Sequence, residues 1–451
     1  VTERNLMIGV SGIRGIVFDP MGPDTASDYA SALATLLGRG RYVLGRDTRP
    51  SGVVLAPAVC SALASCGCDV LDTGVAPTPT IQMAVEHHRA RGGIALTASH
   101  NPAEWNALKL ISGKGTFLGT DDIERIKTIV SSGRYARAGH DGAGSVVTDG
   151  GAVERHIEAL LALDYVDAEE IGGAGFKVAV DCINGAGSAA IPELLERLGC
   201  SVVTIDCDGS GRFARDPEPV TANLGRLCDA VKRSGADVGF AVDPDADRLS
   251  MVDEKGDAIG EEYSIVLCAE LVLSKTAGTV VVNLSTTRAV EDVARGHDSR
   301  VVRSPIGEIN VVESMKASGS SLGGEGNGGI ILPALHYGRD SLAGIGLVLQ
   351  LLAERKEKLS QVMTLFPRYA IVKEKASLKD IADINSLRAR LSREFEGAAV
   401  NDEDGLRFDF GEGWLHIRKS GTEPVVRVIA EAGTEREART LIDRCMQAMR
   451  K

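Results

Sequence analysis

The chain has 451 residues, 44% hydrophobic, 25% charged and 4% aromatic, with 52 glycines, a balance that excludes a disordered chain and fits an α/β protein with many tight turns. At about 150 residues per domain the length predicts several domains rather than one core. Fifty Lys and Arg against 62 Asp and Glu leave a net charge of -12, which offers no general attraction for nucleic acid or an anionic membrane surface.

Residues Val1 to Ile16 mix charges and glycines without the apolar core of a signal peptide. The nine cysteines are odd in number and scattered, and Cys66-Gly67-Cys68 lacks CxxC spacing, so reduced thiols and a cytoplasmic location are expected. Tyr42-Val43-Leu44 runs into Gly45-Arg46-Asp47 and then a helical pattern from Val53 to Ala64, the punctuation of a βα unit. Gly93 to Leu96 predicts another strand, with Thr97-Ala98-Ser99-His100-Asn101-Pro102 on the tight turn at its end. Ser99 reads there in two ways: as an exposed, nucleophilic or phospho-accepting hydroxyl with His100 beside it, or, with Asn101, as a cap on a following helix. The Gly-x-Ser-x-Gly elbow is absent, which weakens a hydrolase reading. Lys109 can act as acid or base if it is desolvated near other cations, and is otherwise a solvated surface group. Gly113-Lys114-Gly115 lacks the upstream Gly and the following hydroxyl of a Walker A loop, which demotes nucleotide kinases.

The Gly-rich run Gly142 to Gly151 marks a first boundary. Lys177 to Val180 before Asp181 to Gly187, and Val238 to Val242 before Asp243, repeat the βα punctuation, so parallel sheets with functional groups at strand carboxyl ends are expected. Asp243-Pro244-Asp245-Ala246-Asp247-Arg248 sets carboxylates at i, i+2 and i+4 directly after an apolar strand, where they repel unless a cation sits among them. Oxygen-only donors suit Mg²⁺, and Arg248 stands where an EF-hand requires Gly. Asp243, Asp245 and Asp247 are therefore expected metal ligands, with Arg248 free to meet a substrate oxygen; the alternative is a solvated acidic turn.

The turn from Asp253 to Gly260 marks a second boundary. Gly324 to Gly329 matches GxGxxG and Gly209 to Ala214 its looser form, yet Pro333 and Pro217 follow too soon for the helix a dinucleotide site needs. Glu325 and Asn327 read instead as a polar pair on a mobile loop, suited to adjacent sugar hydroxyls, or as part of a plain Gly-rich turn. Ala343 to Ala353 is too short and too polar to span a bilayer. A third boundary near Phe366 to Asp380 completes four segments: 1–150, 151–257, 258–367 and 368–451. The last reads as α+β, from the alternation Trp414 to Ile417, the run Val425 to Ile429 and a polar helix from Thr434. Between those strands, Arg418-Lys419-Ser420-Gly421-Thr422, with Arg427 beyond, concentrates guanidiniums, hydroxyls and a glycine N–H into a phosphate cradle. A small phosphate ester held between cradle and metal loop is the expected substrate. No repeat period is legible, so kinship among the first three segments would be structural.

In their order these motifs resemble those of the α-D-phosphohexomutases, the family of phosphoglucomutase, phosphomannomutase and phosphoglucosamine mutase. The resemblance spans nearly the whole chain, through Ser11-Gly12-Ile13-Arg14-Gly15, Gly45 to Arg49, Thr97 to Pro102 with Asn106 and Lys109, Val180 to Gly187, Asp243 to Arg248, Gly324 to Gly329 and Arg418 to Pro424. It implies three similar α/β sandwich domains plus a C-terminal α+β domain like the TATA-box-binding protein, around a central cleft. It implies that Ser99 is a phosphoserine exchanging its phosphoryl group with a hexose monophosphate through a bisphosphorylated sugar. Mg²⁺, one per active site, would be held by Asp243, Asp245, Asp247 and a phosphate oxygen on Ser99, with Arg14 and Lys109 near the transferred group and Arg248 near the substrate. Arg418, Ser420, Gly421 and Thr422 would grip the substrate phosphate as the cleft closes against water, and a hexose 1,6-bisphosphate would serve as activator. The partners implied are small hexose phosphates, with the chain a monomer or homodimer. One departure stands out: many members read Gly-Glu-x-Ser-Gly-His in the sugar loop, whereas Asn327 and Gly329 replace the Ser and His here. The variant loop is similar to that of archaeal-type and some bacterial phosphoglucosamine mutases and of some phosphomannomutases grouped with them, and His100 and His336 are the candidates for the missing histidine's role. Phosphoglucosamine mutase is the first expectation, a phosphomannomutase/phosphoglucomutase of dual specificity the second, and a metal-dependent sugar phosphatase or a non-catalytic sugar-phosphate-binding protein the distant rivals.

Overall fold

The computed structural model describes residues 6–377, 384–419 and 425–450. Its strands form four sheets. In the second, Ser201–Ile205, Lys177–Asp181 and Val238–Val242 lie parallel and Leu249–Asp253 closes the edge antiparallel. The third repeats this with Arg300–Ser304, Thr279–Asn283, Leu322–Glu325 and an antiparallel Gly329–Ile331. The first contains the same order, Asp69–Val75, Arg41–Arg46, Gly92–Leu96 and antiparallel Trp105–Ser112, extended beyond the last strand by Gly12–Val17 and Met7–Gly9. The kinship invisible as a residue period is thus a kinship of strand order.

Helices cover these sheets, which is why central strands such as Val238–Val242 are buried at every residue and read as continuous apolar runs. One apolar core runs through the second and third sheets, joining Val178, Val180, Phe240 and Val242 to Val280, Val282, Leu322 and Ile330. The apolar helix Ser341–Arg355 lies inside it, buried from Ser341 to Ala353. Among the described residues no helix is long and apolar enough to cross a membrane. The helix starts where Asp340 accepts the N–H groups of Leu342 and Ala343, a carboxylate cap that also suits the positive helix end. The fourth sheet is fully antiparallel, ordered Ala370–Ser377, Val425–Ala432, Gly413–Lys419, Leu406–Phe410 and Ala399–Asn401, with helices Ile384–Glu394 and Glu435–Arg450 in its own core.

In each of the first three sheets the connection from third to fourth strand is short: residues 97–104, 243–248 and 326–328. The serine, acidic and sugar motifs occupy this one topological position three times.

Candidate active site

The serine turn is shaped by a buried guanidinium. Arg49 donates to the carbonyls of Ser99 and Asn101 at 2.7 Å each and of Pro102 and Trp105 at 2.7 and 3.0 Å. Its Nε pairs with Asp47 at 3.0 Å, and Asp47 accepts the Thr97 hydroxyl at 2.7 Å. Five donors in a fixed fork tie the loop down, and Ser99 is held at a left-handed φ of 50°, a conformation that costs a non-glycine residue energy and that surrounding contacts must enforce. A strand, Trp105–Ser112, follows the turn, so Ser99 caps no helix. Its Oγ donates instead to Asp243 Oδ2 at 2.6 Å, with His100 Nδ1 at 3.4 Å.

That contact crosses from the first sheet to the second, where the acidic residues converge. Asp243, Asp245 and Asp247 are buried and each offers an oxygen within 4.8 Å of the others. Lys109 enters from the strand after the serine turn and pairs with Asp245 at 2.6 Å and Asp247 at 2.9 Å. Thr78 donates its hydroxyl to Asp245 Oδ2 at 2.5 Å. Arg339 reaches Asp247 at 2.7 Å from the third sheet's side. Burial alone would depress the Lys109 ammonium, but Asp245 and Asp247 outweigh it and hold the group above its ordinary value. Burial would likewise raise Asp247, yet Arg339, Lys109 and Arg248 keep it well below the usual carboxylate range. Asp243 goes the other way, driven well above that range by burial and by the charges of Asp247 and Asp245. Asp245 Oδ1 and Asp247 Oδ1 are buried without any hydrogen-bond partner. Orphaned carboxylate oxygens beside a carboxyl with a raised pKa fit a hard divalent cation, and the three aspartates are the residues that would hold it.

Other charged groups ring this cluster. Arg14 donates to Asn101 Oδ1 at 2.7 Å, and burial brings its guanidinium down to about 10. Burial, with Arg248 and Arg14 nearby, pushes the His100 imidazole well below its ordinary value and so keeps it neutral. Arg248, expected to be free, already pairs with Glu218 at 2.8 Å, because residues 211–220 fold back over the metal-loop strand; its buried Nε has no partner. The sugar loop, expected to be mobile, is a tight buried hairpin: Glu325 accepts from Asn283 at 2.8 Å and from Arg339 at 2.8 Å, and Asn327 donates to it at 3.4 Å. The Leu249 N–H reaches the Gly328 carbonyl at 2.9 Å, so metal loop and sugar hairpin abut. Asp340 Oδ2 accepts from His336 Nε2 at 3.1 Å and from His156 Nε2 at 2.9 Å; this buried pairing serves the helix cap and leaves His100 as the histidine beside Ser99.

Arg418 and Arg427 are cross-strand partners in the fourth sheet, and Lys375 faces Arg427 from the next strand. Asp404 lies 3.4 Å from Arg418 Nε and accepts the Ile306 N–H at 3.0 Å, which joins this strand to the loop against the sugar hairpin. Ser420, Gly421 and Thr422 lie outside the described residues. Arg339, Glu308 and Thr78 are residues of the candidate site that sequence reasoning missed. Asp47 and Arg49 stand in a motif to which it assigned no role, although two nearby opposite charges in a glycine-led turn were a signal of a buried brace.

Sequence models of the phosphoglucomutase/phosphomannomutase family match the chain four times: α/β/α domain I over residues 5–137, domain II over 154–256, domain III over 260–369 and the C-terminal domain over 369–448. A phosphoglucomutase/phosphomannomutase of Thermococcus kodakarensis is 36% identical, covering 97% of each chain. A probable phosphoglucosamine mutase of Methanopyrus kandleri is 34% identical over 98% of this chain and 97% of its own. The crystal structure of a phosphoglucomutase/phosphomannomutase family protein from Burkholderia thailandensis superposes with a TM-score of 0.84 at 27% identity, covering 98% of this chain and 97% of that one.

Proposed function

Because the chain belongs to the phosphoglucomutase/phosphomannomutase family, we propose that it interconverts hexose 1-phosphate and hexose 6-phosphate through a phosphorylated Ser99 and a bisphosphorylated sugar, with glucosamine phosphates as the preferred pair. The observation that carries this reading is the Ser99 hydroxyl 2.6 Å from the first of three buried aspartates, with Lys109 spanning the other two.

In the first half-reaction the bond from phosphorus to Ser99 Oγ breaks as one forms to a sugar hydroxyl, whose proton leaves to a base or to solvent; the second half-reaction reverses this at the sugar's other end. Mg²⁺, held by Asp243, Asp245, Asp247 and a phosphoserine oxygen, would supply positive charge against the charge developing in transfer. Lys109, kept protonated by two aspartates, and Arg14 add fixed cationic donors around the same atoms. As a base Lys109 would first have to give up the proton those carboxylates hold on it, so its role here is that of acid and electrostatic stabiliser. Glu325 and Asn327 recognise adjacent sugar hydroxyls, and Arg418 and Arg427, with Ser420, Gly421 and Thr422, take the phosphate that is not being transferred. A hexose 1,6-bisphosphate rephosphorylates Ser99 whenever the intermediate escapes.

Dual specificity for glucose and mannose phosphates is the second reading, favoured by the name of the Thermococcus relative. A turnover assay with Mg²⁺ and a trace of hexose 1,6-bisphosphate tests both, offering glucosamine, glucose and mannose 1-phosphates in parallel with Ser99→Ala as control. Preference for glucosamine 1-phosphate supports the first reading and comparable glucose and mannose rates the second. Release of free phosphate without isomerisation would replace both with a phosphatase.

A further inference from the structure

The sugar hairpin lacks the side chain that many family members carry at position 329, and a residue from elsewhere fills the space. A Cβ built on Gly329 would overlap Cδ of Arg339 and lie 3.1 Å from its Cγ, so a side chain at 329 and the present course of Arg339 exclude each other. Arg339 enters from the turn before helix Ser341–Arg355, anchored by the Asp340 cap and by the Asp340 N–H on the Ile330 carbonyl at 2.8 Å. Its guanidinium then meets three carboxylates: Asp247 at 2.7 Å, Glu325 at 2.8 Å and Glu308 at 3.0 Å. One of these belongs to the metal loop and another to the sugar hairpin.

We propose that Arg339 is the positioning residue that replaces the loop histidine, orienting Glu325 for the substrate's hydroxyls and tying that carboxylate to the metal loop. The inference rests on the mutase reading above. A planar fork with donors at fixed angles sets the direction of the Glu325 and Asp247 carboxylates it donates to, whereas an ammonium acts as a point charge and cannot hold both in register. Glu325 Oε2 accepts from Arg339 while Oε1 accepts from Asn283, so losing the fork frees one end of the carboxylate to turn.

The test uses the full chain with Mg²⁺ in four variants: Arg339→Lys, Arg339→Gly, Gly329→His, and Gly329→His with Arg339→Gly together. Arg339→Lys, which keeps the charge, should raise KM for the preferred sugar phosphate at least tenfold while kcat changes less. It should raise the calorimetric Kd of glucosamine 6-phosphate at least fivefold. Gly329→His alone should collide with Arg339 and lose about 100-fold in kcat/KM, and so should Arg339→Gly; the double exchange should recover at least tenfold over either single change. Relief of the clash contributes to that recovery, so the readout that a merely structural role would not move is the rise of KM and Kd over kcat in Arg339→Lys. Wild-type KM and Kd in Arg339→Lys, or a double exchange no better than the worse single variant while all melt with the wild type, overturns the proposal. A wild type that isomerises none of the three sugars sinks the reading beneath it, and the proposal with it, a result distinct from an active wild type indifferent to Arg339.

Discussion

The second and third sheets have one strand order and their third-to-fourth turns abut, yet the two turns solve opposite electrostatic problems. In the second, the three aspartates are only partly paired: Asp245 Oδ1 and Asp247 Oδ1 have no hydrogen-bond partner, and Asp243 is driven toward the protonated form. In the third, Glu325 is met on one oxygen by Arg339 and on the other by Asn283. A turn left with surplus buried charge calls for an external cation, whereas one whose charge is matched within the protein can offer its carboxylate to neutral hydroxyls. Strand order decides where the groups stand; local charge balance decides what they bind.

The sharpest way to break this contrast is Asp245→Ala. Removing one member of the surplus set should lower turnover about 10³-fold, the scale of losing a preorganised electrostatic element, while the melting temperature holds or rises as like charges are relieved. Turnover within tenfold of wild type would show that the acidic turn is not the cation site. Lys109→Met attacks from the other side. It strips a cation shared by Asp245 and Asp247, and breaking such a buried pair costs about 3 kcal/mol or more, so denaturant unfolding should show that loss without Mg²⁺ and a smaller one with it. Mg²⁺ itself should stabilise the wild type by about 2.7 kcal/mol at a hundred times its Kd, visible as a raised melting temperature. Asn327→Ala should show the same rise and Asp245→Ala should lose it, the result expected of a cation held by the second sheet's turn.

The smallest expected effect probes the sugar-hairpin side. Burial pushes the Glu262 carboxyl up to about 8 despite Lys373 3.3 Å away, and a Cβ on Gly326 of the hairpin would overlap it. A carboxyl with a raised folded-state pKa binds more protons folded than unfolded, so its contribution is complete below its ordinary pKa and is lost as pH rises to about 8. Melting curves of the wild type should therefore fall by a few degrees across that window, and those of Glu262→Gln should be flatter. Parallel curves would place the titration elsewhere.

Features set by neighbours in the chain were legible. Val238 to Val242 reads as a buried strand and is one, and the crowding of Asp243, Asp245 and Asp247 is a property of six consecutive residues. Ser99 stands between nucleophile and helix cap in the sequence because the two readings differ only in the element after the turn, and that element is a strand. Arg248 reads as free and is not, since nothing near it in the chain announces Glu218; the Gly-rich sugar loop reads as mobile and is not, since glycine serves both flexible loops and close-packed hairpins.

The amino-acid sequence by itself determined the α/β punctuation, the crowding of carboxylates in the acidic turn, and the order of motifs that marks the family. Only the tertiary structure decided that Arg49 would shape the serine turn, that Lys109 and Thr78 would meet Asp245, and that Arg339 would fill the space left by Gly329. The reason is physical: a buried charge is tolerated only beside a partner, and here the partners come from other strands and sheets, so neither member reveals the pairing until the sheets pack.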